Sequence, residues 1–448
     1  MRKYSGYLLF VLLAVFLLTG CAPTTIDELY SPPRRPAEFQ ELQKAIDQAM
    51  EDLSYCAPLT GENQQAVQMA DLDGDGVDEY LLFAKGTEDK PLQVLVFSRE
   101  AEEYRLRDRI ESHGSAFELV EYVDFDGRPG MELVVGRQVS DQVLRSVTVH
   151  HFSEDGSELL MKTNYYKLVT ADLCGDDRTE LTVIMPGSTE TDKASAVLYS
   201  GRDGNVERSK EVTLSAPAEQ IKRIMTGNLQ DGASAVYVAS ASAVYVASAL
   251  EEQAIITDVL AVDRGRFTNV SYSTESGTSV QTLRNYYVYA DDIDQDGILE
   301  MPSLITMVPY RGTGGAERQH LIRWYALDIQ GRETDKMFTF HDLAEGWYLQ
   351  LDSTWASRVT VTEEGGSSCF YVWDSAFKRA EKLLTIEILA GSDREAQAAE
   401  DGRILLHRTD SALYAAVIGN GAESYGITRE NLADSFHLIF KDWKTGET

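Results

Sequence analysis

The stretch ADLDGDGVDEYLLFA, residues 70–84, sets Asp71, Asp73 and Asp75 on alternate positions, follows them with Gly76, and places Glu79 ninth, just before a hydrophobic run. Side chains at positions one, three and five of such a turn converge on one side. Gly76 permits the φ > 0 geometry the turn needs, and the Val77 carbonyl offers a further oxygen. This is the donor spacing that a hard divalent cation requires. A helix-loop-helix calcium site would carry a bidentate Glu at position twelve, but that position is Leu82. EYLLFA instead has the unbroken apolar character of a buried strand. The stretch is therefore expected to be a calcium-type loop on a β-hairpin, with a metal-free Asp/Gly turn as the competing reading.

Four related stretches follow: VDFDGRPGMELVVG (123–136), ADLCGDDRTELTVI (171–184), GNLQDGASAVYV (227–238) and DDIDQDGILEMPSLI (291–305). Position one falls on Asp71, Asp124, Asp172, Asn228 and Asp292, at intervals of about 48 to 64 residues, which predicts a repeat architecture. The longest interval contains ASAVYVAS twice, at 233–240 and again at 241–248. Such a duplicated strand-forming octapeptide can be absorbed as a longer hairpin or a bulged edge.

The loops differ in donor quality. Site one offers Asp71, Asp73, Asp75 and Glu79 with the Val77 carbonyl; site five offers Asp292, Asp294, Asp296 and Glu300 with the Ile298 carbonyl. Site three keeps Asp172, Asp176 and Glu180 but has Cys174 at position three, where a thiol suits a hard cation poorly. Site two keeps Asp124, Asp126 and Glu132 but carries Arg128 at position five, whose guanidinium can replace a metal by pairing with the acids. Site four, with Asn228 and Gln230 in a shortened loop, is expected to hold no metal.

Each repeat reads as four strands; in the first they are AVQMA, EYLLFA, LQVLVFS and EYRLRDRI. Four antiparallel strands in about fifty residues is the size of a propeller blade. On DLDGDGVDEYLLF and DIDQDGILEM, with three weaker copies, the chain resembles the FG-GAP/VCBS repeat family, best known from integrin alpha-subunit propellers. That resemblance spans roughly two thirds of the chain. It implies calcium in the loops and a propeller used as an adhesion or binding platform.

The predicted fold is mainly β: a propeller of about five to seven four-stranded blades over 59–345, after an amphipathic helix in 37–58. Phe39, Leu42, Ile46, Ala49 and Leu53 recur at helical spacing there, to pack on the next domain or to bind a partner. A degenerate sixth repeat begins near Asp342. Residues 346–448 lack the loop and are expected to form a small α+β domain, ending in a helix capped by Thr428 with Leu432, Phe436, Ile439 and Phe440 as its stripe.

The N-terminus, MRKYSGYLLFVLLAVFLLTGCAP, has Arg2 and Lys3 before an apolar run too short to span a bilayer, which reads as an export signal over 1–20. LTGC resembles the lipobox of bacterial lipoproteins, which implies cleavage before Cys21 and lipidation of its thiol; a plain secretory signal is the alternative. Residues 21–36 then form a Pro-rich tether. The expected location is the extracytoplasmic face of the cell membrane, anchored by lipid. With a net charge of −31, the chain suits cation binding and disfavours nucleic acid as a partner. Besides Cys21 it has only Cys56, Cys174 and Cys369, far apart, which is no disulfide framework, although one pair could form.

The sequence contains no GxSxG, HExxH, CxxC or phosphate-binding glycine loop, and RGTGGAER (311–318) lacks the strand and Lys-Ser/Thr context of one. His150 and His151 are neighbours on a predicted strand and so face opposite sides, unable to chelate one ion together. The aromatics of NYYK (164–167), RNYYVYA (284–290) and RWYA (323–326) either pack the blades or offer flat surfaces to a carbohydrate or protein. The expected function is a non-catalytic binding or adhesion module for envelope glycan or surface protein, stabilised by structural calcium. The alternatives are a calcium-dependent polysaccharide lyase or hydrolase and a structural assembly lipoprotein that recruits its partner through 346–448.

Overall fold

Each Asp/Gly turn forces the chain to reverse, and the apolar run after it then pairs with the strand before it. The computed structural model describes residues 37–439 apart from 101–102, 140–144, 154, 247–248, 285–287, 308–319, 375–378 and 401. The expected signal and tether, Cys21, Asn285 to Tyr287, RGTGGAER and Phe440 lie outside the described residues.

The fold is mainly β, and the described residues form six antiparallel sheets in chain order. They span 54–112, 116–165, 167–213, 221–269, 301–351 and 359–418, and hold four or five strands each. Four hairpins share one register: Ala70 faces Glu79, Val123 faces Glu132, Ala171 faces Glu180 and Asp291 faces Glu300. The position-nine glutamate therefore always stands opposite the residue before position one.

Neighbouring sheets pack face to face through separate apolar cores. Leu81, Phe83 and Val94 meet Phe117 and Leu133 between sheets one and two; Val134 and Val149 meet Leu181 and Val183 between two and three. Ile184 and Leu198 meet Val236 and Leu260, Tyr237 and Val259 meet Met301 and Tyr325, and Phe340 and Leu349 meet Val361 and Phe370. The helix Ala37–Ala49 lays Leu42 and Ile46 on Leu82, Leu95 and Phe97, covering the remaining face of sheet one. At the other end, Ala398 of the helix Arg394–Ala398 covers Leu389, Leu413 and Ala415 of sheet six. Among the described residues no core cluster joins sheet six to sheet one.

The C-terminal part differs from the expected α+β domain. Residue 346 lies in a turn within sheet five, whose strand Trp347–Leu351 pairs with a returning strand, Phe436–Leu438. Thr428 does cap a helix, with its hydroxyl accepting the Asn431 N–H, but that helix ends at Ser435. Phe436 leaves the helical stripe because the edge of sheet five offers its backbone a ladder, while its ring stacks on Trp347. Sheet six then stacks on sheet five as the other sheets stack on one another.

The duplicated octapeptide lengthens one hairpin. The strands Ser234–Val246 and Ala249–Asp263 run past the point where Ile221 pairs with Ser240, and residues 241–246 of the second copy pair with the return strand, across a bulge between Ser242 and Val244. Among the described residues no helix is long and apolar enough to cross a membrane. Cys56, Cys174 and Cys369 are free thiols.

Candidate metal loops

In loop one, Asp71 turns both carboxylate oxygens onto the turn itself: Oδ1 accepts the Gly74 N–H (2.8 Å) and Oδ2 the Gly76 N–H (3.0 Å). Asp73 accepts the Asp75 N–H, and Asp75 Oδ1 accepts the Val77 N–H at 2.7 Å. Loop five is wired with position five in place of position four: Asp292 accepts the Asp296 and Gly297 N–H groups, and Asp296 accepts that of Ile298. Gly74 has φ of 75°, and a Cβ there would lie 2.5 Å from the Gly130 nitrogen of loop two, so only glycine fits this junction.

Adjacent loops are stitched in one pattern. The N–H at position eight donates to the position-one carbonyl of the preceding loop: Met131 to Asp71 (3.2 Å), Thr179 to Asp124 (2.7 Å) and Leu299 to Asn228 (3.1 Å). These bonds join loops one, two and three in one run and loops four and five in another.

Position nine is the buried element of each loop. Glu79, Glu132, Glu180 and Glu300 are all buried, and each accepts the N–H of position two, from Leu72, Phe125, Leu173 and Ile293 respectively. Burial raises the pKa of all four above the ordinary carboxylate range, because a charge removed from water loses its hydration. Glu300 is pushed furthest, up to about 7, chiefly by burial and then by Asp294; its Oε1 is buried with no hydrogen-bond partner.

Among the described residues, three groups bring donor atoms within 4.8 Å of one another: Asp71, Asp73 and Glu79; Asp292, Asp294 and Glu300; and Asp126, Glu132 and His151. Asp75 and Asp296, expected as position-five ligands, lie outside these groups. Val77 and Ile298 donate to those two aspartates through their N–H groups. Site three does not assemble into such a group. Asp172 is used by the Gly175 and Asp177 N–H groups, Asp176 pairs with Arg178, and Glu180 accepts from Leu173 and Cys174. Burial, with Glu180 beside it, pushes the Cys174 thiol up to about 12, so it stays protonated and is no thiolate ligand.

Basic side chains, from within the loops and from elsewhere in the fold, meet these acids. Arg128 pairs with Asp126 at 2.8 Å, the replacement its position suggests, and His151 Nδ1 lies 2.7 Å from Glu132 Oε1. Arg107, from the last strand of sheet one, reaches Asp73 (2.6 Å) and Glu79 (3.3 Å) in site one. Lys336 of sheet five reaches Asp296 at 2.6 Å in site five. Sequence reasoning missed Arg107, Lys336 and His151. For His151 a signal existed: continuing the hairpin register of Leu133 with His150 sets it opposite Glu132.

Site five fits a hard cation best. Its donors are all oxygen, one of them a buried carboxylate oxygen without a partner, and its protein cation touches Asp296 rather than the Asp292, Asp294 and Glu300 group. Of the described aromatics in the three tyrosine-rich stretches, Tyr165, Tyr289, Trp324 and Tyr325 are buried packing residues and Tyr166 is half-buried.

No family model and no curated protein matches the chain. Among solved structures it is similar to an exotype rhamnogalacturonan lyase, at 12% identity and a TM-score of 0.27, over 82% of this chain and 72% of that one. It is similar to a Bacillus licheniformis rhamnogalacturonan lyase at 13% identity and a TM-score of 0.26, over 74% and 72% of the two chains. A Lactobacillus plantarum protein shares 11% identity at a TM-score of 0.27, over 73% and 86%.

Proposed function

We propose that the chain is a lipid-anchored extracytoplasmic protein whose six sheets form a propeller-like, calcium-stabilised scaffold, acting as a non-catalytic binding or adhesion module for envelope glycan or protein. One observation carries the calcium: the buried Glu300 Oε1, without a partner, shares a cluster with Asp292 and Asp294. A buried charge left unpaired costs several kcal/mol, and a bound hard cation removes that cost. Asp292, Asp294 and Glu300 would hold the ion in site five, and Asp71, Asp73 and Glu79 in site one once Arg107 yields. Calcium supplies charge neutralisation there. The chain supplies the rest: turn N–H groups orient the position-one aspartates, and the position-two N–H orients each buried glutamate.

In this reading the loops hold the sheets in register, and binding belongs to the surfaces they position. The anchor rests on LTGC and Cys21, and the binding role on a scaffold whose conspicuous acids are spent on its own turns. The test is to present residues 22–448 to envelope glycans and surface proteins in millimolar calcium and in chelator, recording melting alongside. Retention of a partner in calcium, with weaker retention and lower melting in chelator, supports the proposal. Turnover of a glycan into released product replaces it with an enzyme, and melting indifferent to chelator removes the calcium.

A further inference from the structure

The first strands of sheets two, three and four are edge strands, and they converge on a shallow groove of about 480 Å³. Lys167, Lys222 and Arg223 line it, against one acid, Glu121. In a chain with 72 Asp and Glu against 41 Lys and Arg, that local balance is reversed. Glu121 is engaged by the Thr170 hydroxyl at 2.5 Å, and among the described residues no carboxylate pairs with any of the three cations. The contrast with the loops is chemical. Arg107, Arg128, Arg178 and Lys336 are spent on neighbouring acids, whereas at the groove Lys167 and Lys222 stand exposed and Arg223 half-buried. Arg223 also stands over the Tyr289 ring, 5.5 Å from its centroid, which holds the guanidinium in place.

Resting on the binding-module reading, we infer that this groove is the ligand surface and that it takes an acidic polysaccharide, one carrying carboxylates on its sugar rings. Guanidinium and ammonium groups meet carboxylates with charge-assisted hydrogen bonds. Half-buried Ile221 and Ile224, which pack on the same core, give the groove an apolar lining for the C–H faces of a sugar, and exposed Thr226 offers a hydroxyl at the rim. The net charge of −31 decides against a densely charged polymer such as nucleic acid, whose phosphates would continue onto acidic surface; a glycan with one charge per sugar places few charges outside the groove.

The experiment uses residues 22–448 in calcium with short uronate oligosaccharides, their carboxyl-reduced neutral counterparts of equal length, and oligoglutamate. Uronate should bind and weaken as salt rises, and the neutral counterpart should bind about tenfold or more weakly. K167E/K222E/R223E should abolish uronate binding without moving the melting temperature, whereas K90E/K210E, at exposed positions elsewhere, should leave it intact. R223Q serves as the milder variant if the triple variant fails to fold, and it should weaken uronate about tenfold. Equal binding of charged and neutral oligosaccharides, or unaltered binding by the folded variants, overturns the inference while leaving a glycan-binding module. Tighter binding of oligoglutamate overturns the glycan in favour of an acidic peptide. If no uronate binds while an envelope protein is retained, the inference falls and the binding-module reading stands; retention of nothing fells both.

Discussion

At Glu300 a fully buried carboxylate has a donor for only one of its two oxygens. The metal-free loop is thus destabilised by a charge it cannot solvate, and the two ways to relieve it have opposite signatures. E300Q removes the charge, so in chelator it should melt at or above the wild type. In millimolar calcium, the same variant should lose about 1.4 kcal/mol of stabilisation, the value for a site of about 10⁻⁴ M affinity. Calorimetric melts under both conditions read the crossing, and an unchanged calcium increment would place the ion elsewhere. His150 supplies a pH dependence free of the loops' own acids. Burial, with the Arg137 charge adding to it, pushes its imidazole down to about 4 from an ordinary value of 6.5. Between those values the unfolded chain binds a proton that the folded chain refuses. Stability therefore falls as pH drops through the window, and the contribution is complete above it. The difference in unfolding free energy between wild type and H150L should change by about 3 kcal/mol from pH 7 to pH 4. Parallel urea-melting curves for the two proteins across that range would contradict it.

At the scale of elements, the hairpin of sheet four carries a copy of its own strand that the sheet does not use. Residues 241–246 pair with the return strand beyond the last contact of that hairpin with Ile221–Asn228. A two-stranded ribbon of this kind adds little stability by itself. Deleting Ala241–Ser248, and so joining Ser240 to Ala249, should shift stability by no more than about 0.5 kcal/mol, the range of a surface change. A loss of several kcal/mol on chemical denaturation would mean that the second copy completes a core. The hairpins were legible in the sequence because their causes are local: an aspartate at position one, a turn residue free to take positive φ, and a β-rich run after it. Arg107, Lys336 and the returning strand Phe436–Leu438 were not legible. Each meets its partner across a long stretch of chain, and no spacing rule connects Arg107 with Asp73 or Phe436 with Leu349. The strands of sheet six could be read one by one, but without an Asp loop nothing marked them as another stacked sheet.

On the scale of the molecule, the sheets form a series in which each face needs a neighbour. At the sheet-one face an amphipathic helix, through Leu42 and Ile46, takes the place that another sheet fills elsewhere, whereas at the sheet-six end Ala398 of a short helix packs on Leu389, Leu413 and Ala415. The series is tied most firmly at its C-terminal end. Phe340 and Leu349 of sheet five share one core with Val361, Phe370 and Leu384 of sheet six and with Leu432 and Phe436 of the returning segment. Cutting the chain after residue 345 would therefore not release an intact scaffold. It would remove two strands of sheet five and all of sheet six, and leave Phe340 without the packing that buries it. Each large apolar side chain so exposed costs about 1.5 to 3 kcal/mol, and a few of them equal the whole stability of a typical domain. The fragment 37–345 should accordingly lose the cooperative melting of sheet five, with amide protection falling over Met301–Thr306 and His320–Leu327, while Glu79–Lys85 and Glu132–Gln138 keep theirs because they lie four and three sheets away. Hydrogen exchange on the fragment separates the outcomes. Protection retained in Met301–Thr306 would show that the C-terminal segment is an independent unit, and protection lost throughout would show that all six sheets unfold as one.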